Sequence, residues 1–94
     1  MMTMINRLTV VEGKEEEFRR VVSDISAYMR AQPGFLGHRL HRSVNRPAVY
    51  VETAQWRDAE SHRSAMRGEG FRQNVQRLAG LASAEPDIFE TLED

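Results

Sequence analysis

The sequence predicts an α+β fold of the split βαβ kind, a four-stranded antiparallel sheet with both helices on one face. Three observations lead there. Segments with strand-like patterning and segments with helical spacing follow one another in the order β, α, β, β, α, β. The two middle strand segments are separated by "SVNRP", a short stretch suited to a turn. The length, 94 residues, fits one domain spanning 1–94 with one modest core.

"TMINRLTV" at 3–10 has the β-branched and apolar content of a strand, and "EGK" breaks it. In "EEEFRRVVSDISAYMRAQ" the residues Phe18, Val21, Val22, Ile25 and Met29 recur at helical spacing, with acids in the first turn and Arg30 near the end, as the helix dipole favours. Pro33 and Gly34 stop this helix. "FLGHRLHR" reads as the second strand and residues 48–56, "AVYVETAQW", as the third, paired in a hairpin. "RDAESHRSAMR" forms a short helix with Asp58 as N-cap, and Gly68 and Gly70 interrupt it before "FRQNVQRLAGL" resumes helical spacing. "DIFETL", after Pro86, supplies the fourth strand.

Thirteen basic and fourteen acidic residues leave a net charge of −1, which does not favour a nucleic-acid partner or an anionic membrane surface. The absence of cysteine excludes disulfides, thiolate metal sites and a cysteine nucleophile. No signal-like leader or bilayer-length apolar run is present, so a cytoplasmic location is expected. His38 and His41 lie an odd number apart on one strand and face opposite ways, so they cannot share a metal.

Period two along the third strand sets Val49, Val51 and Thr53 on one side and Ala48, Tyr50, Glu52, Ala54 and Trp56 on the other. The aliphatic set is expected to meet the helices. Tyr50 and Trp56, joined by Met4 and Leu8, then form an apolar patch on the bare face, which predicts a homodimer packed sheet to sheet with a small-molecule pocket in the gap. The alternative is that Tyr50 and Trp56 fill the dimer core and leave no pocket.

"INRLTV", "RAQPGFLGHRLHR", "VYVETAQWRDAESHR" and "GFRQNVQRLAGLASAEPDIFETL", in this order and spacing, resemble the antibiotic biosynthesis monooxygenase family over nearly the whole chain. The resemblance implies a ferredoxin-like subunit in a dimeric αβ barrel. The most similar subgroup comprises small cofactor-independent monooxygenases of aromatic polyketide pathways, which oxidise anthrone-type phenols to quinones. In that subgroup an Asn on strand one, an Asn on strand three and the Trp closing strand three are functional. Asn6 and Trp56 match the first and last; the strand-three position, four residues before the Trp, holds Glu52. A second branch of the family degrades heme, with a His in the last helix and a Trp on the preceding one. "FRQNVQRL" has no His, only Asn74 near that place, and "SHRSAMRG" has no Trp, so heme is not expected.

Oxygenation without metal or flavin needs a substrate whose carbanion can itself give an electron to dioxygen, the co-substrate. The protein must desolvate it, assist loss of a proton and stabilise anionic oxygen. The resemblance and the strand phases together give the candidates. Asn6 donates its amide to that oxygen, and Trp56 is a flat apolar wall. Glu52 is either a base or a structural partner of Arg7 or Arg39. His62 either relays a proton at the pocket mouth or lies solvated on its helix. Met4, Leu8, His38, Tyr50, Met66 and Phe71 complete the substrate box. Two other functions use the same pocket: a polyketide cyclase or aromatase working without oxygen, and a non-catalytic dimeric protein that binds a small aromatic molecule.

Overall fold

The computed structural model describes residues 1–94. Its elements are β1 (Met2–Val10), α1 (Glu15–Arg30), β2 (Phe35–Arg42), β3 (Val49–Trp56), α2 (Ala59–Met66), α3 (Glu69–Leu78) and β4 (Ala82–Glu90). The strands form one antiparallel sheet in the order β2-β3-β1-β4, so the two strands nearest in sequence to the termini lie side by side and β1 and β3 form the centre. This is the ferredoxin-like arrangement expected. No helix is long and apolar enough to cross a membrane.

α1 forms where its apolar stripe requires it, and Phe18, Val21, Val22, Ile25 and Met29 are all buried against the sheet. Gly34, with φ of 85°, then reverses the chain into β2, a conformation that costs other L residues strain. Asp58 caps α2 through its carboxylate, which accepts the Ser61 N–H at 2.8 Å. The break between α2 and α3 has a packing cause. Tyr28 of α1 donates its hydroxyl to the Ala65 carbonyl at 3.1 Å, and its ring lies so close to Gly68 and Gly70 that a Cβ at either would collide with it.

Two expectations are corrected. The helices cover the other face of β3: Tyr50, Ala54 and Trp56 are buried beneath them with Met2, Leu8 and Val10, while Val49, Val51 and Thr53 lie half-buried on the opposite face. Large rings fill the gap between sheet and helix; Phe18 of α1 stacks at a tilt on Tyr50 with centroids 5.0 Å apart. β1 decides the matter, because its even positions are mostly apolar while its odd positions include Thr3, Arg7 and Thr9, which helices cannot bury without leaving polar groups unpaired. The second correction concerns β4, which starts at Ala82 and runs through Pro86 instead of beginning after it. A proline is admissible there because β4 is an edge strand.

Candidate active site

The core beneath the helices divides in two. One cluster gathers around Trp56 with Ile25 and Met29, the other around Tyr50 with Phe18 and Leu8. Near the division, the register aligns Leu40, Glu52, Asn6 and Pro86 in one row across the four strands. Two polar side chains thus stand on the helix side of the sheet's central pair, where apolar ones would be expected.

Above that row lies a cavity of about 530 Å³. α3 roofs it: none of its residues is fully buried, and Phe71, Val75 and Leu78 turn apolar surface to the cavity, Phe71 and Leu78 also touching the core clusters. Ile25 and Met29 of α1, Met66 of α2 and Met4 of β1 add apolar walls, and β4 contributes Ala84, Pro86 and Ile88. An apolar chamber with a few converging polar groups is the ordinary anatomy of a small-molecule site. It lies inside one subunit, between sheet and helices, not between two sheets as expected from sequence.

Asn6 faces the cavity, and its Oδ1 is buried without a hydrogen-bond partner. An unpaired buried amide oxygen costs roughly 1–3 kcal/mol. Beside it, Glu52 Oε2 and His38 Nε2 are 2.9 Å apart, with the two side chains only 12% and 14% exposed. The partner of Glu52 is therefore His38, neither Arg7 nor Arg39; Arg7 instead reaches Glu85 at 3.9 Å. On the other side of the imidazole, Nδ1 lies 3.4 Å from the Ser26 hydroxyl of α1. Ser26 was not anticipated from sequence, although it is the one polar residue among the buried positions of α1.

His62 lines the cavity from α2, with its ring edge-on to Trp56 at a centroid distance of 5.6 Å. Burial lowers its pKa from 6.5, and the charge of Arg63 adds to the effect. It is neutral at pH 7 and able to accept a proton. Trp56 itself is fully buried and stands behind the cavity wall, packed edge-on against Phe35 at 5.2 Å and against His62. The expected flat wall is thus a backing for residues that form the wall. Leu8 and Tyr50 belong to the second core cluster and do not reach the cavity, because Phe18 covers them. Of the other expected residues, Met4, Asn6, His38, Glu52, His62, Met66 and Phe71 are all brought to the cavity. No group of three or more His, Asp or Glu side chains is arranged to hold a metal ion.

Residues 1–77 match the family model described as antibiotic biosynthesis monooxygenase. The chain belongs to the antibiotic biosynthesis monooxygenase family. The enzyme is 34% identical over 87 residues to deoxynogalonate monooxygenase of Streptomyces nogalater, an alignment covering 93% of this chain and 73% of the relative. Among solved structures it resembles SnoaB, a cofactor-independent oxygenase from the same organism, with a TM-score of 0.93 and 32% identity over 99% of this chain and 94% of that one. A conserved protein of Methanosarcina mazei, 16% identical, shares the fold with a TM-score of 0.87 over 94% of this chain and 89% of its own.

Proposed function

We propose that the enzyme is a cofactor-independent monooxygenase that oxidises an anthrone- or phenol-type aromatic polyketide intermediate to a quinone. The observation that carries this reading is the unpartnered amide of Asn6 beside the buried Glu52, in a cavity otherwise walled by apolar side chains. The reaction consumes one ring methylene and one dioxygen and yields one carbonyl and one water, so no external electron donor is needed. Its first requirement is a deprotonated substrate. The apolar walls hold the rings away from water, and the Asn6 amide is free to donate to the oxygen on which negative charge develops. Two relatives carry names that fit: deoxynogalonate monooxygenase and the cofactor-independent oxygenase SnoaB.

Asn6, Glu52, Trp56 and His62 are the residues assigned to this chemistry. Glu52 takes part in the acid–base work, Trp56 fixes His62 and Phe35 from behind, and neutral His62 stands ready to relay a proton. Two subunits associate through the uncovered sheet face, where Ile5, Val49 and Val51 are half-buried and Phe89 is 45% exposed.

Purified protein, treated with chelator and supplied with dithranol under oxygen, is expected to form quinone faster than buffer and to consume oxygen one to one. No acceleration over buffer across several anthrones would overturn the proposal. A second reading, enolisation and ring closure without oxygen, draws support from the same imidazole–carboxylate pair. Undiminished turnover under strict anaerobiosis would select it.

A further inference from the structure

We infer that His38 is the catalytic base of this site, with Glu52 and Ser26 as the residues that fix its tautomer and its aim. The inference rests on the reaction class proposed above and adds the group that takes the proton. Glu52 occupies Nε2 at 2.9 Å and, as a carboxylate, can only accept, so Nε2 carries the hydrogen. The lone pair is then on Nδ1. That nitrogen faces the Ser26 hydroxyl at 3.4 Å, the long limit of a hydrogen bond, which holds the ring plane in place yet yields readily to a substrate.

A purely structural role accounts poorly for this arrangement. A buried carboxylate–imidazole pair is generally no more stabilising than apolar residues of the same volume, and this pair lies on a cavity wall rather than inside the solid core. The adjoining row supplies the complement. Asn6 stands directly across from Glu52 in the strand register, so a substrate whose activated C–H meets Nδ1 can place its conjugated oxygen at the amide.

The steps balance on this chain's own groups. His38 Nδ1 takes the proton as the C–H bond breaks, and the electron pair moves into the conjugated carbonyl, whose oxygen the Asn6 amide receives. The imidazolium is stabilised by Glu52. Dioxygen then accepts electrons from the carbanion and a C–O bond forms; the resulting peroxide anion recovers the proton from His38. Removal of the second proton from the same carbon by Nδ1 drives O–O cleavage, and the hydroxide released takes that proton back to leave as water. His38 thus works twice per turnover and ends as it began.

The groups that face His38 are Glu52 from β3 and Ser26 from α1; the other titratable residues lining the cavity are His62 of α2 and Asp87 of β4, and no Lys or Arg lines it. The test compares wild type with His38→Gln, Ser26→Ala and the double variant His38→Gln/Glu52→Gln, in which an amide pair preserves the hydrogen bond without an ionisable partner. His41→Gln, exposed on the opposite face of β2, is the control.

Dithranol oxidation followed across pH is expected to fall about 100-fold near neutrality in His38→Gln and in the double variant, the scale of a general base. The deficit should close as pH passes the substrate's own pKa, because the substrate then arrives already deprotonated. Ser26→Ala should lower kcat with little change in KM and move its pH profile. A second readout needs no oxygen: wild type under nitrogen should catalyse exchange of the substrate's methylene protons with D2O, and His38→Gln should not.

A folded variant whose deficit is the same at every pH, or whose anaerobic exchange equals wild type, overturns the assignment of His38. Wild-type exchange without any quinone under air supports the base while overturning the monooxygenase reading. Quinone formation unaffected by His38→Gln does the reverse.

Discussion

Asn6 sits where a leucine or valine would serve the fold better. Its carbonyl oxygen is buried without a partner, so Asn6→Leu is expected to raise stability by about 1 kcal/mol or more. In a domain of this size that corresponds to roughly 4–8 °C in Tm. Asn6→Ala and Asn6→Leu should both lower anthrone turnover, by about 100-fold if the amide acts as the oxyanion donor. Thermal melts and steady-state rates on the same preparations check both halves. A gain in stability with turnover intact would refute the role given to Asn6. His62 offers a second test through acid sensitivity. Its folded pKa lies below the unfolded value of 6.5, so the unfolded chain binds the proton more readily. Stability is complete above 6.5 and is lost as pH falls from there toward the folded value. Urea midpoints measured between pH 7.5 and 5 should fall in wild type and fall less in His62→Gln. These residues were legible in the sequence to different degrees. Asn6 and Glu52 stood out as polar groups on apolar strands, whereas the partnership of Glu52 with His38 depends on a strand pairing that patterning alone does not align.

The elements themselves were mostly readable, because period and punctuation agree along α1, β2, β3 and α2. What misled was the choice of face on β3. Aliphatic β-branched residues look like core, yet Val49 and Val51 occupy the outer face while the rings of Tyr50 and Trp56 go under the helices. The signal was present one strand away, in the alternation of β1. The break at Gly68 was also visible, although α3 starts at Glu69 and takes in Gly70 instead of resuming after it; the cause of the break, the Tyr28 ring about 40 residues earlier, was a tertiary fact. Gly70→Ala is therefore expected to destabilise the protein by about 1–3 kcal/mol, although alanine is the better helix former. Tyr28→Leu should remove most of that penalty. A double-mutant cycle by chemical denaturation measures the coupling, and additive effects would show that ring and glycine do not interact.

On the scale of the molecule, the inverted face moves the cavity inside the subunit and frees the outer sheet surface for a partner. A sedimentation mass near twice the 10.8 kDa of the chain is expected, and Val51→Glu should bring it to one. Because the cavity lies on the helix side, the dissociated variant should keep its helical circular dichroism; a monomeric wild type at micromolar concentration would refute the interface. A pocket and most of its lining were legible in the sequence, but its place between sheet and helices was not. It depends on the α3 side chains being only partly buried, and amphipathic spacing looks the same whether a stripe meets solid core or a cavity.

The edge position of β4 has a further consequence, which concerns polymerisation. The Val11 N–H bonds to the Leu81 carbonyl, so with period two the odd residues of β4 turn their backbone groups toward β1 and the even ones turn theirs outward. The outward set includes Pro86, which has no N–H, and Ile88, whose N–H is taken by the neighbouring Asp87 carboxylate at 2.8 Å. The opposite margin, β2, carries Arg39, His41 and Arg42, while β4 carries Glu85, Asp87 and Glu90, so a margin-to-margin contact between copies would join opposite charges and would be of the head-to-tail kind. The missing donors in the middle of β4 would deny such a contact a continuous ladder. Pro86, which lines the cavity, thereby also interrupts the row of outward donors along this edge.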